Sequence, residues 1–289
     1  MVQKAIEKAA ALIEALPYIQ HFRGETVVVK FGGSILDNRK TYEHILRDVA
    51  FMEVIGMRPV LVHGGGKAIS QRMKEAGLAA KFIQGLRVSD APTIDIVEQV
   101  LNHEVNPALV ATLQESCKAA GIHGNDIIQV EKHTGSDKDG NPIDWEFVGN
   151  VTHVDVQSLN SLLDDSTVPV ITPLGRGADG QTYNVNADEA AGAVAREIHA
   201  RKLVFLSDVP GIMADLEDPD SIISSLHLHE VEELINRGII AGGMMPKVSG
   251  AIKAIQAGVK KIHIIDAAMP HSLLLELFTD KGVGTEILA

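Results

Sequence analysis

Val27-Val28-Val29-Lys30-Phe31-Gly32-Gly33-Ser34 is a short apolar run that breaks on paired glycines. Pro59-Val60-Leu61-Val62-His63-Gly64-Gly65-Gly66 repeats the arrangement further along. Branched apolar runs bounded by turn residues read as buried strands. Helical periodicity follows each, near residues 39–55 and from about residue 67. Further strands are predicted at 168–171, 203–206 and 261–265. Helices are predicted at 187–199 and 271–278, with a long helical region over roughly 92–119. Apolar strands alternating with helices indicate an α/β chain whose mainly parallel sheet is covered on both faces. Residues 127–156 break this rhythm. Their β-prone pieces flank the polar run Ser136-Asp137-Lys138-Asp139-Gly140-Asn141-Pro142, which predicts hairpins. No repeat or low-complexity linker appears, and a lobe boundary is expected near Ala200.

The 289 residues carry 26 basic and 38 acidic side chains, a net charge of −12, with 45 % hydrophobic residues. That is a globular composition, long enough for one large domain or two lobes. The negative charge argues against a general nucleic-acid binder but leaves open an anionic small molecule met by a few placed cations. The single cysteine, Cys117, excludes an intrachain disulfide and a zinc site built on several cysteines; a reducing cytoplasm is the expected setting. No uncharged apolar run is long enough to predict a membrane span. Glu7, Lys8 and Glu14 interrupt the apolar stretch after Lys4, unlike a signal peptide. Val2, Ile6, Ala9, Ile13 and Leu16 instead trace the stripe of an amphipathic helix over 2–16, ended by Pro17 and Gly24. That stripe either folds back on its own domain or serves as an exchanged arm at a subunit interface.

Four glycine segments fall just after strands, at the edge where open α/β sheets bind ligands. Gly32-Gly33 and Gly64-Gly65-Gly66 suit backbone amides converging on an anion at a helix N-terminus, or else tight turns. Ser207-Asp208-Val209-Pro210-Gly211 reads by itself as a turn. Gly242-Gly243-Met244-Met245-Pro246-Lys247 opens a helix and puts Lys247 near its N-terminus, where a cation is disfavoured. A bound polyphosphate would offset that repulsion; otherwise the lysine swings into solvent. Asn186 and Asp188 suit the N-cap and first turn of the 187–199 helix, which leaves Asn184 unexplained. Gly175-Arg176-Gly177-Ala178-Asp179-Gly180 spells G-x-G-x-x-G, but no helix opens within it, so it is not a dinucleotide fingerprint.

Taken in order, these segments, with Gly85-Leu86-Arg87-Val88-Ser89-Asp90, Asn184-Val185-Asn186-Ala187-Asp188 and the stretch His263–Thr285, resemble the amino-acid kinase family. The resemblance is strongest to its arginine-inhibited members that act on N-acetyl-L-glutamate. It implies an open, mainly parallel eight-stranded sheet sandwiched by helices, with β-hairpins over the acceptor site. It further implies an oligomerisation helix over 1–24, an acceptor lobe over 25–200 and an ATP lobe over 201–289. The implied reaction phosphorylates a side-chain carboxylate at the expense of ATP, with Mg²⁺ on the phosphates and no metal site of the protein's own. Lys30, Lys247 and Asp188 would be catalytic, with Asp188 fixing both lysines. Gly64, Gly65, Gly66, Arg87, Asn184 and Asn186 would bind the acceptor, Arg87 gripping its α-carboxylate. Gly32, Gly33, Ser207, Asp208, Gly211 and Lys247 would hold the nucleotide. His263, Glu276 and Gly282, with Lys202, would line an arginine site in a hexamer built as a trimer of dimers. Gly124-Asn125-Asp126 and the 136–142 loop depart from the more glycine-rich hairpin of many relatives. The alternatives are a kinase of another acidic acceptor and a non-catalytic nucleotide-sensing module.

Overall fold

The computed structural model describes residues 2–136, 140–215, 218, 221–240, 244–256, 258–279 and 282–289. Helix α1 (Val2–Phe22) leads into β1 (Thr26–Phe31). A 3₁₀ turn at Gly33–Asp37 joins β1 to α2 (Arg39–Val54), where the Asn38 side chain caps the helix by accepting from Thr41 N. The unit repeats as β2 (Arg58–His63) and α3 (Gly66–Glu75). An antiparallel pair, β3 (Phe82–Ile83) and β4 (Leu86–Arg87), precedes α4 (Ala91–Val100), a π turn over Leu101–Val105 and α5 (Asn106–Gln114). Next come β5 (Ala119–Ile122), α6 (Gly124–Ile127), β6 (Ile128–Ser136), β7 (Pro142–Val154) and α7 (Gln157–Asp164). They are followed by β8 (Val168–Ile171), β9 (Leu174–Gly177), β10 (Thr182–Asn184) and α8 (Ala187–Glu197). The last part runs β11 (Lys202–Ser207), β12 (Ser225–His227), α9 (Leu228–Asn236), α10 (Met245–Gln256), β13 (Lys261–Asp266), α11 (Ser272–Phe278) and β14 (Thr285–Leu288).

The main sheet has eight strands in the order β12-β14-β13-β11-β1-β2-β8-β5. All its pairings are parallel except β13 with β14. Strand β1 lies in the middle, with Val28 opposite both Leu203 and Val60. Alternate side chains therefore enter different layers. Val27, Val29 and Phe31 pack with Ile45 and Leu46 of α2 and Leu109 of α5. Val28 packs with Ala190 and Val194 of α8 and Val248 of α10. Lys30, two residues on from Val28, emerges on the α8 side. No helix among the described residues is long and apolar enough to cross a membrane.

Three expectations change. Residues 127–156 form more than hairpins: β6 and β7 close with β9 and β10 into a four-stranded barrel. The long helix ends at Gln114, and Ala119-Ala120-Gly121-Ile122 is a strand, although it lacks the aromatic and branched residues that mark strands, Ile122 apart. Helix α1 runs through Pro17 to Phe22, because Tyr18 and Phe22 pack on the core and hold its last turns. Gly24, at φ 79°, is the residue that stops it. Residues 137–139 of the polar run lie outside the described residues.

The turns after β1 and β2 touch backbone to backbone. Gly64 N donates to Phe31 O at 2.9 Å, and a Cβ on Gly32 would stand 3.0 Å from Gly64 Cα. Gly32→Ala is expected to lower the urea midpoint by an amount equivalent to about 1–3 kcal/mol, the cost of overpacking against backbone. An unchanged midpoint would mean that the two turns can part freely.

Candidate active site

The ends of β1 and β2 and the start of α8 surround one cleft of about 370 Å³. Lys30, Gly32, Gly33, Gly64, Gly65, Gly66, Arg87, Asn184, Asn186 and Asp188 all line it. Two helices, α3 and α8, begin at this cleft. Their first-turn amides have no acceptors within the helix and carry partial positive charge.

Lys30 Nζ lies 2.6 Å from Asp188 Oδ1, with both side chains nearly buried. Asp188 stands in the first turn of α8, where the helix dipole favours its charge. Asn186 caps that helix, its Oδ1 accepting from Asp188 N at 2.9 Å and Glu189 N at 3.2 Å. Asn184 Nδ2 donates to Ser89 Oγ at 3.3 Å, and Ser89 Oγ donates to Arg87 O at 3.0 Å. Asn184 thus braces the strand that carries Arg87.

Arg87 is buried, and burial pulls its pKa below the ordinary value. Its Nη2 donates to Gly66 O and Ser70 Oγ, both at 2.8 Å. The guanidinium carbon lies 4.6 Å from the Phe82 ring centroid, a cation–π contact. Part of the fork implied for a ligand carboxylate is thus turned onto the protein itself.

The expectation that Asp188 fixes both lysines does not hold. Lys247 Nζ pairs with Asp208 Oδ1 at 3.1 Å. The hydrogen bond from Lys247 holds the Asp208 carboxyl below its ordinary value. Lys247 sits in the first turn of α10, and a carboxylate there offsets both the ammonium and the dipole. Ser207, Asp208, Gly211 and Lys247 do not line the cleft. Gly211 is a packing glycine: a Cβ would lie 2.7 Å from Thr285 Oγ1, which accepts from Ile212 N at 2.8 Å. Gly242 and Gly243 lie outside the described residues.

His263, Glu276, Gly282 and Lys202 come together elsewhere. His263 Nδ1 donates to Glu276 Oε1 at 2.6 Å. Glu276 Oε2 accepts from Val283 N at 2.7 Å and Gly284 N at 3.2 Å. Burial pushes the Glu276 carboxyl up, but these hydrogen bonds outweigh it and leave the group below its ordinary value. Burial pulls His263 down. Its Nε2 makes no hydrogen bond among the described residues and lies 3.8 Å from Glu286 Oε1.

Sequence reasoning missed Lys67, which lines the cleft and pairs with Asp37 at 2.5 Å. It is a cation in the first turn of α3, the same broken rule that singled out Lys247. It also missed His63 as a support beneath the glycines. That ring is fully buried, its Nδ1 donating to Gly64 O at 2.9 Å. Asn106 Nδ2 reaches both His63 Nε2 at 3.1 Å and Val170 O at 2.8 Å.

The sequence profile of the amino acid kinase family matches residues 25–266. The chain belongs to the amino acid kinase family. It is similar to acetylglutamate kinase of Heliobacterium modesticaldum, with 47 % identity over 99 % of each chain. It also resembles N-acetylglutamate synthase of Neisseria gonorrhoeae complexed with coenzyme A and L-arginine, at 27 % identity and TM-score 0.80 over 97 % of this chain. The chain spans 65 % of that synthase. Carbamate kinase of Giardia lamblia bound to AMP-PNP shares the family fold, with TM-score 0.64, 18 % identity and coverage of 92 % of this chain and 98 % of that one.

Burial pulls the His63 ring down to a pKa of about 4. The unfolded ring, near its ordinary 6.5, takes up a proton that the folded ring refuses. Stability should therefore fall as pH drops from about 6.5 toward about 4, by up to the order of 3 kcal/mol. His63→Gln should lose this contribution. Urea unfolding of both proteins at about pH 7 and about pH 4.5 checks it, and equal pH dependence would remove His63 as the source.

Proposed function

We propose that this chain transfers the γ-phosphoryl group of ATP to the side-chain carboxylate of N-acetyl-L-glutamate, in arginine biosynthesis in the cytoplasm. The observation that carries this reading is the Lys30–Asp188 pair on a cleft edged by two glycine turns. The chain's 47 % identity to an acetylglutamate kinase over nearly its whole length supports the choice of acceptor. A carboxylate oxygen attacks the γ-phosphorus, the bond to the β–γ bridging oxygen breaks, and ADP leaves with an acyl phosphate. The nucleophile has no proton to lose, so no base is needed. The reaction instead brings two anions together, and placed cations and amides must stabilise the charge between them.

In this reading Lys30 meets the transferring group, and Asp188 orients Lys30 rather than taking a proton. Amides of Gly32, Gly33 and Gly64–Gly66 hold phosphoryl and acceptor oxygens. Arg87 keeps its remaining donors for the acceptor α-carboxylate, with Asn184 and Asn186 beside it. Residues 25–200 form the acceptor side and 201–289 the nucleotide side. Ser207, Asp208, Gly211 and Lys247 belong to the latter, and Lys247 exchanges Asp208 for phosphate when ATP binds. Mg²⁺ supplies charge neutralisation on the β- and γ-phosphates. Asp188 and Asp208 are already engaged by lysines, which fits a metal held chiefly by phosphate oxygens. Hydroxylamine trapping tests the reaction: hydroxamate should form with N-acetylglutamate and not with free glutamate, and its absence with both would overturn the assignment.

Feedback control is part of the same proposal. His263, Glu276, Gly282 and Lys202 would take arginine away from the cleft, as none of them lines it. His263 Nε2, which has no hydrogen bond among the described residues, and the relative crystallised with L-arginine support this. Arginine would have to draw Glu276 from the amides of Val283 and Gly284, which couples binding to that turn. Lys202 Nζ lies 5.3 Å from the Phe22 ring centroid, so the site touches the end of α1. The apolar stripe of α1, including Val2, Ile6 and Ile13, stands exposed. In our reading it interlaces dimers into a hexamer.

Lys30→Ala and Lys247→Ala are each expected to cut kcat roughly 10²–10³-fold while leaving the acceptor KM within a few-fold. Steady-state kinetics checks this, and near-normal turnover would remove the lysine from the mechanism. Deleting residues 1–20 should give active dimers with weakened arginine inhibition, measured by light scattering and arginine titration. A full-length dimer indifferent to arginine would end the regulatory reading and leave the catalytic one standing.

A further inference from the structure

Trp145 is the only tryptophan in the chain, and it is fully buried in β7. No step proposed above uses it. Its ring meets His133 edge-on at 4.6 Å and covers Gly135, where a Cβ would come within 3.0 Å of the indole. Its Nε1 donates to Ile83 O at 3.3 Å, in the β3–β4 pair. Its carbonyl accepts from Ser89 N at 3.2 Å, and Phe147 N donates to Ser89 O at 2.8 Å. The tryptophan thus ties down the Arg87 segment ahead of the arginine, through Ile83, and behind it, through Ser89. Gln84 Nε2 adds a tie to Ser136 O at 3.1 Å.

At the centre of the Ser89 bridge stands Glu146, at φ 58°, a left-handed conformation costly for a residue with a side chain. Its N–H donates to Asp144 Oδ1 at 2.8 Å, and Asp144 pairs with Lys132 at 2.9 Å. Strain of this kind persists only where the surroundings over-determine it, and it gathers where geometry matters for function. The bridge carries no cleft residue of its own. It fixes the height of the strand from which Arg87 enters the cleft.

We propose that Trp145 is a positioning residue that places the Arg87 guanidinium and so sets the affinity for the acceptor carboxylate. The proposal rests on the acceptor reading given above. It concerns binding, so its signature is a change in acceptor KM without a matching change for ATP.

The test uses the full chain with Trp145→Phe, Arg87→Lys and both together. Phenylalanine keeps a ring in the pocket but leaves Ile83 O without its donor. Trp145→Phe should raise the acceptor KM roughly three- to ten-fold, with kcat and the ATP KM within about two-fold. In the Arg87→Lys background the same change should move the acceptor KM by less than about two-fold, since the residue acts through Arg87. Equal effects in both backgrounds, or equal rises for both substrates, would overturn the proposal. If Trp145→Phe does not fold, the emission of Trp145 in the unaltered chain decides. An emission change that saturates with N-acetylglutamate and is absent with ADP alone supports the tie, and silence toward N-acetylglutamate overturns it. Hydroxamate formation by the unaltered chain reports separately on the phosphoryl-transfer reading, so failure of one is distinct from failure of the other.

Discussion

Gly32 and Gly64 face each other across a gap so narrow that a Cβ on Gly32 would stand 3.0 Å from Gly64 Cα. Everything at the cleft depends on that approach. Parallel pairing of β1 with β2 brings the two strand ends level, with Phe31 opposite His63. The chain must then turn away twice in the same small volume. Because both turns are glycine, their backbones close on each other, and the glycines of both line the same cleft. A wider separation would leave two independent turns. Beneath them His63 and Asn106 hold the second turn to the sheet, joining Gly64 O to Val170 O through one imidazole and one amide. A neutral ring suits that place, since a charge there would be buried under amides that already bear positive partial charge.

The cations follow a consistent pattern. Lys30, Lys67 and Lys247 each have their own carboxylate, from Asp188, Asp37 and Asp208 respectively. Two of these lysines occupy first helical turns, where a nearby anion offsets the unfavourable meeting of ammonium and helix dipole. The two lysines that line the cleft, Lys30 and Lys67, thus have their charge offset by carboxylates of the same chain. Arg87 is held differently, by neutral oxygens and an aromatic face. No carboxylate pairs with it among the described residues.

How much of this could be read from the residues depends on the range of the interaction. Strands β1, β2, β8, β11 and β13 announce themselves, because a strand buried on both faces must be apolar along its length. The glycine turns announce themselves by position. Strand β5 does not: its Gly121 is required by the side chain of Asn106 packed against it, a contact invisible in local composition. The barrel was legible only as hairpins, since its closure depends on pairing of β6 with β9 and β7 with β10 across intervening segments. Gly175 and Gly177, which imitate a dinucleotide motif, are there because Val130 and Tyr183 pack against them. The partner of Lys247 was misread for a related reason. Spacing brings charged residues to the same edge of a sheet but does not say which two will touch.

One strand pairing bears on how the molecule is made. Strand β12 reaches the main sheet only through β14, which lies between it and β13. Residues nearer the C-terminus thus form the bridge for residues synthesised earlier. While the chain is still emerging from a ribosome, β12 has no strand of the main sheet to pair with, and the edge of β13 stays open. Completion waits for Thr285–Leu288, whose first residue also receives the hydrogen bond from Ile212 N. Strands β1, β2, β8 and β5, which pair without β14, can be in place while the opposite edge of the sheet is still waiting for its last strand.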